Sequence, residues 1–238
     1  GVVLPAILCD FLVEVCADNL KFIEAGIDEV RFHDQRWHCF SGSEAIQDDD
    51  VLILANGTGI NDLGLQQKYP VEVVRGQVAV LKANEASSQI RKTRNADVHI
   101  TPAIDGRHYL GATYNRGNRV VAASPADSKV LIESLNGIYP GMFTEDDCCD
   151  AWVGFRTIAK DRVPIVGAVP DVAFYEEEYA DVRHGSTTSL YEGAAYLNGL
   201  YVSAAHGSRG FTSSFLCAEI IASFIDGSPM PVAKDVLD

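Results

Sequence analysis

The sequence predicts an α/β fold, α+β in part, in which a doubly wound layer is interrupted by a mostly antiparallel one. Three observations carry this. Val51-Leu52-Ile53-Leu54 is a continuous apolar run, the pattern of a strand buried on both faces of a parallel sheet, and it ends in Ala55-Asn56-Gly57-Thr58-Gly59. Strand-like runs between residues 71 and 114 then follow one another through turn residues without an intervening helix, which is an antiparallel habit. Finally, Val163 to Val166 and Gly199 to Ala204 return to the first style, the latter leading through a glycine turn into a helix. The simplest architecture is a nucleotide-type layer over residues 1–68, a substrate layer over 69–152 and a return to the first layer over 153–238.

Each element has its own reason. Leu4, Leu8, Phe11, Leu12 and Val15 recur at helical spacing, so a helix is expected from about Pro5 to Asn19 with proline in its first turn. Asp28 to His33 and Trp37 to Phe40 read as short strands, followed by an acidic turn at Asp48-Asp49-Asp50. Val71 to Leu81, Asp97 to Pro102 and Tyr109 to Tyr114 make the antiparallel layer. Ser124 caps a helix running to about Asn136, with Gly137 just beyond. Residues 172–198 carry Glu176-Glu177-Glu178, a solvated face, and a Ser/Thr/Gly loop. The last helix runs from Phe211 to Ile225 with Leu216, Ile220 and Phe224 as its stripe, stopped by Gly227 and Pro229.

Composition narrows the function classes. The 238 residues are 47% hydrophobic and carry 19 Lys+Arg against 33 Asp+Glu, a formal charge of −14, so a real core can form and sequence-independent grip on nucleic acid is disfavoured. No apolar run approaches the roughly 18 residues of a membrane span. Six cysteines show no C-x-x-C spacing, and reduced cytosolic thiols are the expectation, with Cys9, Cys16 and Cys217 as small core hydrophobes. His33, His38 and Cys39 lack a fourth metal partner, so no metal is expected. No third glycine follows Gly57 and Gly59 at dinucleotide-fingerprint spacing, and no phosphate loop, nucleophile elbow or zincin motif occurs.

Two constellations carry chemistry. Tyr201 to Thr212 runs strand, glycine turn, helix, which points free backbone N–H groups and a helix dipole into the turn. Negative charge would be stabilised there, although an ordinary tight strand–helix connection is the simpler account by pattern alone. Gly154-Phe155-Arg156 ends an apolar segment, and a guanidinium fork is the natural bidentate grip on a carboxylate. A surface ion pair fits that spacing equally.

Taken together, Gly1 to Pro5, Val51 to Gly57, Val74-Arg75-Gly76-Gln77-Val78, His99 to Pro102, Leu110 to Gly117, Gly154 to Asp171 and Tyr201 to Pro231 resemble segments of the FAD-dependent D-amino-acid-oxidase-like enzymes, in the same order and over nearly the whole chain. Within that group the sequence is most similar to the oxidoreductase half of the bifunctional tRNA 5-methylaminomethyl-2-thiouridine biosynthesis proteins. The resemblance implies a cytoplasmic flavoprotein that removes the carboxymethyl group from carboxymethylaminomethyl-uridine at the tRNA wobble position, leaving aminomethyl-uridine. A hydride would pass to FAD from the carbon between the secondary amine and the carboxylate, and water would hydrolyse the imine with glyoxylate as co-product. The family's methyltransferase half, which uses S-adenosylmethionine, has no counterpart in these residues.

The resemblance also assigns roles. Asn56, Gly57 and Gln77 would lie beside the FAD, with Gln77 near the isoalloxazine. The amides of Gly207, Ser208, Arg209 and Gly210, with Phe211 and Thr212 opening the helix, would stabilise negative charge on the flavin edge. Arg156 would clamp the substrate carboxylate and Tyr114 would line the substrate pocket. His206 stands where an aliphatic residue is expected. No catalytic acid or base is assigned, because an unprotonated amine can lose hydride directly. The family's dinucleotide fingerprint precedes Gly1, so the resemblance implies a C-terminal fragment that binds FAD weakly or not at all and is inactive alone. Arg91-Lys92-Thr93-Arg94 and Arg116 to Arg119 are the basic clusters able to meet tRNA phosphates, and plain solvated loops fit them as well. Two other readings stay open: an oxidase of free glycine, sarcosine or D-amino acids, and a folded remnant without catalysis.

Overall fold

The computed structural model describes residues 2–185, 191 and 193–237, the side chains of residues 183, 235 and 237 excepted. Of the Ser/Thr/Gly stretch expected within residues 172–198, residues 186–190 and 192 lie outside the described residues. The elements, in chain order, are α1 (Pro5–Val15), β1 (Glu29–His33), β2 (Arg36–Ser41), β3 (Glu44–Asp49), β4 (Leu52–Leu54), β5 (Val71–Lys82), β6 (Arg94–Asn95), β7 (His99–Ile100), β8 (Arg107–Gly111), β9 (Asn115–Arg116), α2 (Pro125–Asn136), β10 (Cys148–Ala159), β11 (Ile165–Pro170), α3 (Val172–Glu178), β12 (Tyr196–Ala204), α4 (Gly210–Asp226) and α5 (Lys234–Leu237). They group into two compact units, Gly1–Glu24 with Val73–Phe155 and Ala25–Glu72 with Arg156–Asp238. The divisions therefore fall near 72 and 155, and residues 1–24 group with the antiparallel unit, whereas the sequence pattern places them in the first layer.

The first unit is built on the sheet β10-β5-β8-β7-β6, with β9 also beside β5. Pairing of β5 with β8 and β9, and of β7 with β8 and β6, is antiparallel. Ala79, Leu81, Ile100 and Leu110 lie on one face and pack with Leu131, Ile132 and Leu135 of α2 and with Phe143. The N-terminus of α2 forms as expected: the Ser124 hydroxyl accepts the Asp127 N–H, and Pro125 opens the first turn. Two expected strands are shorter, since only His99–Ile100 and Arg107–Gly111 pair, and β10 was not anticipated because its residues alternate irregularly. A buried network ties β5 to the start of α2. Arg75 donates to Val120 O (2.8 Å), Ala122 O (2.8 Å), Asp127 Oδ2 (2.6 Å) and Gln77 Oε1 (3.1 Å).

Helix α1 ends at Val15, and residues 17–19 form a separate 3-10 turn. No residue of α1 is buried. Its apolar stripe is exposed apart from half-buried Leu8, and Cys9 and Cys16 are exposed, so the expected core cysteines reduce to Cys217. All six thiols are free.

The second unit has two three-stranded sheets, β1-β2-β3 and β11-β12-β4. Trp37 of the first sheet, Leu54, Leu200, Val202 and Val169 of the second, and Ile60 and Leu63 share one core. The Trp37 indole N–H donates to Asn198 O at 2.8 Å, fixing one sheet to the other. Asp48 and Asp49 belong to β3 and are not a turn, held there by Arg36, whose Nε lies 3.0 Å from Asp48 Oδ2. In the other sheet β12 is central, antiparallel to β11 and parallel to β4. The expectation that Val51 to Leu54 is buried on both faces fails: Leu54 is 3% exposed, but Ile53 is 45% and Val51 38% exposed.

Helix α4 packs on β11 and β12 through Cys217, Ile220 and Ile221. The expected stripe of Leu216, Ile220 and Phe224 keeps only Ile220 in the core. Gly227, left-handed at φ 74°, ends the helix as its position predicted. No helix among the described residues is long and apolar enough to cross a membrane.

Candidate functional site

In the second unit the parallel strands β4 and β12 run in register, Leu54 opposite Val202, so the turns at their carboxyl ends lie on the same edge of the sheet. That edge is where open α/β sheets place ligands. One turn is Asn56 with the 3-10 segment Gly57–Gly59. Gly57 is left-handed (φ 59°) with open space where a Cβ would stand. The Asn56 side chain is exposed.

The other turn is Ala205 to Arg209. Ala205 (φ 59°) and Gly207 (φ 58°) are both left-handed, which reverses the chain and starts α4. A Cβ on Gly207 would stand 3.2 Å from Ile158 Cγ2. Not every amide of the turn is available. Gly207 N–H donates to Thr157 O at 3.0 Å and Arg209 N–H to His206 O at 3.0 Å. The Thr212 N–H and hydroxyl both donate to Arg209 O. The amides of Ser208, Gly210 and Phe211 have no acceptor among the described residues. The expected row of Gly207 to Gly210 amides is thus corrected to Ser208, Gly210 and Phe211, at the N-terminus of a 17-residue helix. Thr212 caps the turn with its hydroxyl.

Arg156, half-buried near the end of β10, immediately precedes Thr157, whose carbonyl pins Gly207. A bridge between Ile158 and His206 reinforces this junction. The structure therefore brings Arg156 and the glycine turn to one place. It also adds a residue the sequence did not reveal. Thr157 is 6% exposed and its Oγ1 has no partner among the described residues, a buried polar atom of the kind that calls for one. Nothing in the run Arg-Thr-Ile-Ala distinguishes that threonine from a strand filler. With the free amides, this orphaned hydroxyl makes the edge fit a polar, electron-rich ring margin such as that of a flavin.

Two sequence-assigned residues lie in the first unit. Tyr114 is 49% exposed, with the Arg116 guanidinium 5.9 Å from its ring centroid. Gln77 is fully buried, and its amide is saturated. Oε1 accepts from Arg75 and from Ser124 N–H, while Nε2 donates to Ser124 O and Ser128 Oγ. No lone pair or N–H of that side chain remains for a cofactor. The side chain serves as a brace between β5 and α2. A cleft of about 870 Å³ along α4, lined by Ser213, Cys217 and Ile220 with Lys160 and Val163, includes none of the assigned residues. Among the described residues no group of three or more His, Cys, Asp or Glu could hold a metal ion.

His206 is a neutral clamp between β12 and α4. Ser213 Oγ donates to Arg209 O and lies 2.8 Å from His206 Nδ1, so the ring carries its proton there; Nε2, 3.0 Å from Ser203 Oγ, accepts. Burial pushes the imidazole below its ordinary value. A depressed histidine leaves the unfolded chain binding more protons, so stability present above about pH 6.5 is lost as the pH falls toward the folded value. The melting temperature relative to His206→Leu should therefore decline from pH 7 to 5.5. A pH-independent difference would show that the ring titrates as freely folded as unfolded.

Residues 1–224 match the family model described as FAD dependent oxidoreductase, so the chain belongs to that family. Over 241 residues it is 28% identical to the tRNA 5-methylaminomethyl-2-thiouridine biosynthesis bifunctional protein MnmC of Stutzerimonas stutzeri (strain A1501), covering 98% of this chain and 36% of that protein. It is 30% identical over 220 residues to the protein of the same name from Legionella pneumophila subsp. pneumophila (strain Philadelphia 1), covering 92% of this chain and 32% of the relative. The chain thus spans about a third of the length of these curated relatives. Among solved structures, iminodiacetate oxidase from Chelativorans sp. BNC1 superposes with a TM-score of 0.73 at 20% identity, over 96% of this chain and 56% of that one. The fold is that of the D-amino-acid-oxidase-like flavoenzymes.

Proposed function

We propose that the chain is part of a cytoplasmic tRNA-modifying flavoenzyme that oxidatively removes the carboxymethyl group from carboxymethylaminomethyl-uridine at the wobble position. The observation that carries this is the junction at Thr157, where Arg156 lies beside a turn presenting the free amides of Ser208, Gly210 and Phe211. Likeness over nearly the whole chain to proteins named for tRNA 5-methylaminomethyl-2-thiouridine biosynthesis supports the substrate class. FAD, when bound, supplies the hydride acceptor. Ser208, Gly210 and Phe211 would hold negative charge at the ring margin, strengthened by the α4 dipole. Asn56 and Gly57 would flank the cofactor from the β4 turn, and Thr157 would give its hydroxyl a partner. Arg156 would bind the substrate carboxylate and so orient the adjacent C–H. Tyr114 is the residue of the antiparallel unit proposed to touch substrate.

Arg156→Gln is expected to lower the second-order rate of flavin reduction about 10- to 100-fold, since hydrogen bonds to charged groups contribute about 1.5–3 kcal/mol, with Arg156→Lys intermediate. Equal rates for all three forms would remove Arg156 from the site. The reading as a whole is tested by mixing the FAD-saturated full-length protein that contains this chain anaerobically with undermodified tRNA and following flavin absorbance. Bleaching by the tRNA but not by free glycine or sarcosine is the expected result. Bleaching by a free amine alone would make this a small-amine oxidase, and no bleaching with no retained flavin would make it a non-catalytic remnant.

A further inference from the structure

The first unit's sheet has one face packed on α2; on the other, Val74 and Val80 of β5 are 0% and 1% exposed, and only the end of the strand beyond them is open to solvent. There Val80 pairs with Tyr109 and, two residues along, Lys82 pairs with Arg107. Residues two apart on a strand share a face, so all four lie together. Trp152 joins them, 55% exposed, its ring centroid 5.4 Å from that of Tyr109. Lys82 and Arg107 are like charges set directly opposite each other, an arrangement that costs stability. Both are exposed, and neither side chain has a carboxylate partner among the described residues. Trp152 lies beside an acid, its indole N–H donating to Asp150 Oδ2 at 3.1 Å, so the positive balance belongs to the preceding segment of the chain. Residues 73–122 hold eight Lys and Arg against three Asp and Glu, while the whole chain holds 19 against 33.

A repulsive cation pair beside two adjoining aromatic rings at the exposed end of a sheet is an arrangement suited to single-stranded nucleic acid, the rings stacking bases and the cations holding phosphates. We propose that this face is a single-stranded RNA surface, with a base stacked on Trp152 and phosphates on Lys82 and Arg107. The proposal rests on the tRNA reading above and gives that substrate a landing surface on an otherwise acidic protein. Arg91, Lys92 and Arg94 extend the positive segment along the chain and would add long-range attraction.

The test uses the 238-residue chain and a labelled seven-nucleotide RNA of an unmodified anticodon loop, read by anisotropy and by tryptophan emission. Of the two tryptophans, Trp37 is 3% exposed, so quenching reports Trp152. Expected results are quenching on binding, a loss of affinity on the order of tenfold in Trp152→Ala, and a similar loss in Lys82→Gln/Arg107→Gln. The double variant should also flatten the slope of log affinity against log salt by about 1.4, or 0.7 per phosphate contact. Unchanged affinity and no quenching would overturn the surface while leaving the tRNA reading intact. Equal binding of a duplex of the same sequence would overturn base stacking on Trp152, and no RNA binding by the chain would overturn surface and reading together.

Discussion

Gly199→Ala is expected to destabilise the second unit by on the order of 4 kcal/mol or more, a loss large enough to be diagnostic of one mechanism. Gly199 sits inside β12 with φ 66°, a conformation that costs an L-residue about 1–2 kcal/mol. Steric overlap costs more. A Cβ there would stand 2.2 Å from the carbonyl oxygen of Asp50 and 3.7 Å from Val51 Cα, so the obstacle is backbone and cannot rotate away. Relief requires β12 to separate from the segment leading into β4, beside the Leu200–Leu52 pair. That pairing aligns the two turns of the candidate site, so the site would be lost with it. Trp37 is the reporter, since its indole donates to Asn198 O next to Gly199. Its emission should move to the red at much lower urea than in the parent. Gly42→Ala is the control, because Gly42 is also left-handed (φ 59°) with nothing within 4 Å of its Cβ position. Equal urea midpoints for the two variants would show that the close approach to Asp50 carries no weight.

What could be read from the residues follows the same division between local and tertiary causes. Helix α4 was expected over Phe211 to Ile225 and runs Gly210–Asp226, because Gly227 and the glycine turn before it are local punctuation. Its buried face was not legible. Phe211, Phe215, Leu216, Phe224 and Ile225 are all 41–50% exposed, so apolar residues surround the helix and no period selects Cys217, Ile220 and Ile221. Helix α1 shows the same limit, with a regular stripe that no partner in its unit covers. In the site, the strand–turn–helix geometry was readable, but which amides stay free was not. That depends on Thr157 O reaching Gly207 from a distant strand. The bonding of Gln77 was not legible for a related reason. Arg75-Gly76-Gln77 carried a family resemblance, while the four bonds that saturate the Gln77 amide come from within β5 and from residues 124 and 128.

Those bonds define the second large effect. Asp127→Ala is expected to cost about 3 kcal/mol, because it leaves the Arg75 guanidinium buried without its counter-charge. The Arg75 side chain is 2% exposed against 24% for Asp127, so the penalty falls mainly on the cation. Arg75→Met should cost a comparable amount by a different route. It strips donors from the carbonyls of Val120 and Ala122 and from Gln77 Oε1, while the Asp127 carboxylate can turn to water. The two losses share one interaction, so the double variant should be about 2 kcal/mol more stable than the sum of the singles predicts. Urea unfolding followed by Trp152 emission measures the cycle, Trp152 lying in the same unit. Strict additivity would mean that the pair is not the link between β5 and α2. The same brace holds the backbone beside Tyr114, since the Gln77 N–H donates to the Thr113 hydroxyl and the Thr113 N–H to Gln77 O.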